Sequence, residues 1–402
     1  MDNKYKFDRI FVIVADSLGI GEEPDAAKFD DVGSNTFAHA AESVNGIKCP
    51  NMEAMGLGEL DDIKGVKVDS NHPNSYSARL REASNGKDTM TGHWEMMGIL
   101  TTKPFQTFTD TGFPKELIDE LEKETGHKLI GNYAASGTEI LKQLGEQCMK
   151  ENALIIYTSS DSVLQLCGHE ETMGLNELYR CCEIARKLTL KPEWFVGRVI
   201  ARPFIGTNKD NFKRTSNRHD YTISPSGITA MDILKEANYD VKCVGKINDI
   251  FNGCGVTSTV HTTSNSDGME KTIEIINDKN FKEGFCFVNL VEFDSEFGHR
   301  RNPVGYGNAI ETFDKELKVL INNMKDDDLL MITADHGNDP TWKGTDHTRE
   351  NVPLLIYSKS INDGKNLPER NSFADIGASI LFNFNLNKDQ SMIGENIKEL
   401  FK

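Results

Sequence analysis

Short apolar runs rich in β-branched residues recur along this chain, separated by stretches of helical periodicity, and that alternation is the signature of a mainly parallel α/β sheet. The runs are Arg9–Ala15, Val241–Gly245, Phe285–Phe293, Leu329–Ala334 and Val352–Ser358, and they read as buried strands. Between them Tyr306, Ile310, Phe313, Leu317 and Leu320 share one helical face, and further helices are expected around Met269–Ile276 and Phe373–Phe382. The middle third has its own rhythm. Helical stretches near Pro114–Lys123, Thr138–Met149 and Leu175–Leu188 alternate with strand-like Lys128–Tyr133, Leu154–Tyr157 and Val196–Ala201. A length of 402 residues suits two domains, so residues 106–224 are expected to form a smaller α/β domain inserted into a core made of 1–105 and 225–402.

Composition narrows the function classes. No apolar run approaches the roughly 18 residues of a membrane helix, and the N-terminal MDNKYKFDR has no secretory pattern. The eight cysteines form no CxxC pair, which points to a reducing cytoplasm and against both a disulfide framework and a thiolate metal site. A net charge of −17 argues against nucleic acid or an anionic membrane as partner. A phosphorylated substrate would meet the same repulsion, so it would need bound cations and local basic residues. Arg198, Arg202, Lys213, Arg214 and Arg218 cluster in the middle third.

Three of the apolar runs stop at an aspartate: FVIVAD at Asp16, FVNLVEFD at Asp294 and LLMITADH at Asp335. Ligands of open α/β sheets bind beyond the carboxyl ends of strands, so these positions would share one rim. One such Asp is ordinarily a turn-former or helix cap. Here His299 follows Asp294 by five residues, His336 adjoins Asp335, and His347 comes eleven later. None of these spacings puts two ligands on one α-helical face, so the groups are expected on loops. Three carboxylates and three imidazoles exceed the needs of one catalytic ion and suit two, which can stabilise the entering and leaving oxygens of an in-line phosphoryl transfer. A ligand set of oxygen and nitrogen without sulfur suits Mn or Zn, then Fe or Co, better than Mg.

The segment GKDTMTGHWEMMG, residues 86–98, offers two hydroxyl nucleophiles, Thr89 and Thr91, at the entrance to a helix whose N-terminus suits a phosphate. It equally fits plain helix capping, with Asp88 three residues before Thr91 and Thr91 four before Glu95. Spacing leaves that choice open.

Taken together, GKDTMTGHWEMMG, ADSLGIG, FDSEFGHRR and TADHGNDPTWKGTDHTREN resemble the phosphopentomutase family of the alkaline phosphatase superfamily. So do GSNT, SSDSVLQL, GRVIARPFIG, RTSNRHDY and VGKINDIF, and the resemblance runs over nearly the whole chain. It implies an alkaline-phosphatase-like core with a mainly parallel sheet and helices on both faces, and an inserted α/β cap that closes over substrate. It implies two Mn2+ ions, one held by Asp16, Asp335 and His336 and the other by Asp294, His299 and His347, and a phosphate carried on Thr89. Pentose monophosphates would be the substrates, held by Ser159, Asp161, Arg198, Arg214 and Lys246, with Arg202 and Arg218 behind them. A sugar bisphosphate would prime Thr89, and a monomer is the simplest expectation. SSDS at Ser159–Ser162 and FDSEFGH at Phe293–His299 depart from the family pattern, but at positions outside the ligand set.

Overall fold

The computed structural model describes residues 6–159 and 162–402. The chain forms two compact units, one comprising 1–102 and 224–402, the other Lys103–Ile223, where 106–224 is the span expected from the sequence. The first unit supplies β1 (Arg9–Ala15) and β2 (Ser75–Leu80). The second contains β3 (Leu129–Ala134), β4 (Leu154–Thr158), β5 (Val163–His169), β6 (Arg198–Ile205), β7 (Lys213–Arg214) and β8 (His219–Thr222). The first resumes with β9 (Asp240–Val244), β10 (Ser258–Val260), β11 (Gly284–Leu290), β12 (Asp328–Thr333), β13 (Val352–Tyr357) and β14 (Lys365–Asn366).

The first unit is built on an eight-stranded sheet in the order β10-β9-β11-β1-β12-β13-β2-β14. Its first five strands run parallel, and β13 is antiparallel to both β12 and β2. All seven residues of β1 are buried, as the unbroken apolar sequence RIFVIVA requires. Register aligns the exits of three strands: Val14 lies beside Asn289 and Thr333, and Ala15 beside Leu290. The segments after β1, β11 and β12 therefore leave the sheet at one rim. The long helix Pro303–Asn323 starts where Pro303 needs no N–H partner and the Asn302 side chain accepts from Gly305 N. It buries Tyr306, Ile310, Phe313, Leu317 and Leu320, the expected stripe.

At the opposite end of β1, Arg9 is fully buried and bidentate to its neighbour in register, Asp328, at 2.7 Å on both oxygens. Its Nη1 donates to Ile276 O at 2.8 Å, and the guanidinium packs on the rings of Phe11 and Phe281. Arg9→Met would leave a desolvated carboxylate and is expected to cost about 3–5 kcal/mol in urea unfolding. The double change Arg9→Met with Asp328→Leu should recover most of that loss.

The second unit carries a six-stranded sheet in which β3-β4-β5-β6-β7 form the path and β8 pairs with β6. Leu117, Leu121, Leu178, Cys182 and Ala185 pack on Leu164, Leu166, Val199 and Ala201 of one face. Strand alternation puts Arg198 and Arg202 on the other, with Arg214 directly opposite Phe204 and so on that same face. No helix among the described residues is long and apolar enough to cross a membrane.

Candidate metal centre

Asp16 follows β1 directly, and Asp335 and His336 lie just past the end of β12. The turn after β1 needs a left-handed residue, which Ser17 supplies with φ of 69°. Its N–H then donates to Asp335 Oδ1 at 3.0 Å, tying the two strand exits together.

Asp294 arrives differently from the expected strand end. β11 stops at Leu290, and Phe293–Gly298 forms a π-helical turn, with His299 N donating to Asp294 O at 2.9 Å. A π-turn brings residues five apart onto one face, where an α-helix brings four. The Asp294/His299 spacing, which fits no α-helical face, therefore places His299 Nε2 at 3.1 Å from Asp294 Oδ2. His347 completes the group, its Nε2 at 3.4 Å from Asp294 Oδ1 and 3.1 Å from His299 Nε2.

Five of the six groups fall into two sets that share His336, and His299 joins through Asp294 and His347. Ligand atoms of Asp16, Asp335 and His336 lie within 4.8 Å of one another, as do those of Asp294, His336 and His347. The imidazoles of His336 and His347 stack at 3.9 Å. Three features fit divalent cations here. First, each imidazole commits Nδ1 to a backbone carbonyl: His299 to Thr345 at 2.7 Å, His336 to Gly337 at 3.0 Å and His347 to Lys87 at 2.9 Å. That fixes the tautomer with an Nε2 lone pair facing inward, the usual arrangement for metal-ligating histidines. Second, two such lone pairs, on His299 and His347, face each other. Third, Asp16 Oδ1 and Asp335 Oδ2 are buried without a hydrogen-bond partner in the described structure.

The electrostatics agree. Burial, then the charges of Asp335 and Asp294, push the Asp16 carboxyl well above the ordinary range. Burial also acts to raise Asp294, but without an ion the protonated forms of His299 and His347 supply positive charge beside it, outweigh burial and hold that carboxyl well below its usual value. Burial pulls His336 down to about 4, so it is a neutral imidazole at neutral pH.

The helix Thr89–Met96 points its first residue at this centre. Asp88 is the N-cap, accepting from Thr91 N at 3.0 Å and from Thr91 Oγ1 at 2.6 Å, so the capping reading of the segment holds for Asp88 and Thr91. Thr91 is fully buried. Thr89 takes no part in the cap; it is half-buried and its Oγ1 lies 3.1 Å from His336 Nε2. Arg349 braces the approach to this helix, donating to Glu82 Oε2 at 2.8 Å, Ser84 O at 3.0 Å and Gly86 O at 2.6 Å.

The helix also lies hard against the strand exit. A Cβ on Gly92 would stand 2.1 Å from Asp335 O, a distance no real contact tolerates. Gly92→Ala is therefore expected to push the helix off Asp335, costing about 1–3 kcal/mol of stability and on the order of 100-fold in turnover. Thermal melting and steady-state kinetics on the same preparation check both figures.

Among the remaining expected residues, Lys246 directly precedes the helix Ile247–Ile250, without a side-chain cap bond, and its charge is felt at Asp16. Ser159, Arg198 and Arg214 belong to the second unit, while Asp161 lies outside the described residues. In that unit Arg198 and Arg202 help hold the Asp220 carboxyl below its usual value, with Arg218 the stronger influence, against the effect of burial. Two residues beside the centre carried no separate signal in the sequence: His93, inside the quoted helix, and Asn289, inside β11.

Comparison with known proteins places the chain in a family. The metalloenzyme superfamily model matches residues 8–388. The chain is 58% identical over 392 residues to the phosphopentomutase of Clostridium beijerinckii, covering 98% of each chain. It is 57% identical over 396 residues to that of Clostridium tetani, covering 98% of this chain and 99% of the relative. Among solved structures, Leishmania mexicana phosphoglycerate mutase at low cobalt concentration shares the fold, with a TM-score of 0.51 at 11% identity over 97% of each chain. With relatives this similar over almost its full length, and with the superfamily's model spanning both units, the chain belongs to the phosphopentomutase family of the metalloenzyme superfamily.

Proposed function

We propose that this phosphopentomutase interconverts ribose 1-phosphate and ribose 5-phosphate, and their deoxyribose analogues, through a phosphothreonine at Thr89 and a pentose 1,5-bisphosphate intermediate. The observation that carries the reading is the position of the Thr89 hydroxyl: at the head of a helix, half-buried, and 3.1 Å from His336, whose imidazole lies close to both Asp16/Asp335 and Asp294/His347. Asp16, Asp335 and His336 would hold one Mn2+ ion and Asp294, His299 and His347 a second, with other divalent ions able to substitute. When bound, such ions lower the pKa of a hydroxyl and stabilise charge on phosphoryl oxygens.

The chain's own residues do the rest. A sugar bisphosphate primes Thr89 once. A free hydroxyl of the incoming pentose monophosphate then attacks phosphorus, the Thr89 Oγ1–P bond breaks, and the hydroxyl proton passes to Thr89 Oγ1 as the bisphosphate forms. The bisphosphate turns over, Thr89 Oγ1 attacks its other phosphate, that sugar O–P bond breaks with the threonine proton passing to the sugar oxygen, and the product keeps the group just received. Ser159, Asp161, Arg198, Arg214 and Lys246 bind the sugar phosphate, the three cations offsetting the acidic field of the chain. Positioning and fixed charge supply most of the acceleration, as in other phosphoryl transfers.

Incubation with ribose 1-phosphate, Mn2+ and a catalytic amount of sugar bisphosphate tests the reading. Ribose 5-phosphate should accumulate, and chelation should stop it. Release of inorganic phosphate with no ribose 5-phosphate would make the chain a hydrolase and overturn the proposal.

A further inference from the structure

His93 stands behind the ligand set, fully buried on the helix that begins with Thr89. Its Nδ1 bonds the carbonyl of Thr89 at 2.8 Å and lies 3.1 Å from Asp335 Oδ2. A carbonyl oxygen only accepts, so Nδ1 carries the hydrogen. On its other side Nε2 lies 3.3 Å from Asn289 Nδ2, which also donates to Asp16 Oδ2 at 2.9 Å. An amide nitrogen only donates, and the alternative rotamer of Asn289 would set its oxygen against the Asp16 carboxylate. Asn289 thus spends one hydrogen on Asp16 and the other on His93 Nε2, fixing the Nδ1–H tautomer. The Phe287 ring, 5.7 Å away, packs beside the imidazole.

One buried imidazole therefore joins three things that belong to different parts of the chain. It grips the backbone of the residue carrying the hydroxyl, abuts the second carboxylate of one ligand set, and connects through Asn289 to the first. We propose that His93 is a positioning residue, acting through its Nδ1–H with Asn289 as its tautomer lock, that sets Thr89 and the Asp16/Asp335 pair in register. This rests on the two-ion reading above. A buried imidazole with a fixed tautomer is a rigid strut, and outer groups of this kind commonly govern about 10–100-fold in metal affinity or activity.

Two substitutions divide the imidazole into its halves. In His93→Asn the amide nitrogen falls near the old Nδ1 and can still donate to the Thr89 carbonyl. In His93→Gln the amide reaches the old Nε2 position and the Nδ1 donor is lost. Asn289→Leu removes the lock by a separate route, so the test survives if one His93 variant does not fold. Mn2+ stoichiometry and affinity from equilibrium dialysis, with kcat and KM measured separately, read the effect. We expect His93→Gln and Asn289→Leu to lose one ion by about 10–100-fold in affinity and kcat by a similar factor, with KM nearly unchanged. His93→Asn should stay within about threefold of the unmodified chain. Wild-type ion binding and kcat in His93→Gln, or equal losses in His93→Asn and His93→Gln, would overturn the positioning role. An unmodified chain that binds fewer than two ions would instead sink the reading on which it rests.

Discussion

Replacing Thr89 with alanine is expected to lower mutase turnover by about 10^4-fold or more while leaving the fold and the metal content unchanged. The size follows from what the residue does and does not touch. Thr89 plays no part in capping its helix, because the Asp88 side chain accepts the hydrogen bond and the Thr91 N–H donates it. The change therefore removes a hydroxyl facing His336 and one methyl group, and no cap. Thr91 is the contrasting control. Its hydroxyl is buried and donates to Asp88, so Thr91→Val should cost about 1 kcal/mol of stability and still permit phosphate to be carried on Thr89. Thr89→Ser, which keeps a hydroxyl, should retain measurable turnover. Protein mass after exposure to the priming bisphosphate reads the covalent step directly: the unmodified chain should gain one phosphoryl group and Thr89→Ala none. A Thr89→Ala enzyme that still turns over within tenfold of wild type would remove the covalent role from this residue.

The choice between Thr89 and Thr91 shows where the sequence stops being informative. Both hydroxyls and the cap were visible in GKDTMTGHWEMMG, but not which hydroxyl the cap would consume, because that depends on which residue is the N-cap. Asp16 and Asp335 were legible for a physical reason: an apolar run buried on both faces must end where it meets a polar rim, and the first carboxylate after it marks that end. The same logic misplaced the exit of β11. The apolar run there continues through Phe293, yet the ladder ends at Leu290, because the chain turns into a π-helix whose i,i+5 period has no distinctive hydrophobic pattern. β2 (Ser75–Leu80) was invisible for a related reason. Its Ser75 and Ser77 are buried, and only pairing with β13 makes SYSARL a strand. Asn289 lies in an apolar strand and His93 in a mixed helix, and nothing local marks either. Their meaning is set by β1, β11 and the helix Thr89–Met96 meeting in space. Pattern reading thus recovers elements and rim residues, and loses the polar links between elements.

His347→Ala is expected to weaken one of two ions by at least about 10^2-fold while the other stays bound. The asymmetry comes from how the six groups divide. His347 faces Asp294 and His299, whereas Asp16, Asp335 and His336 form a set without it. Removing it leaves two ligands on one side and three on the other. Ligand-linked stability gives a second readout: with Mn2+ well above both dissociation constants, a 100-fold weaker site lowers the stabilisation by added metal by about 2.7 kcal/mol. The metal-free chains should differ much less, since what is lost there is ring contact with His336 and His299, the Nε2 contacts with Asp294 and His299, and one bond to Lys87 O. That last bond makes the prediction more than a count of ions. Lys87 lies two residues before Thr89, so His347 also steadies the approach to the proposed nucleophile, and turnover should fall further than loss of one ion accounts for. Raising Mn2+ until both sites refill would then restore the ion count but not the full rate. If the refilled His347→Ala enzyme instead recovers wild-type kcat, His347 is a ligand and nothing else. If it holds two ions at wild-type affinity from the start, the division of ligands drawn here is wrong.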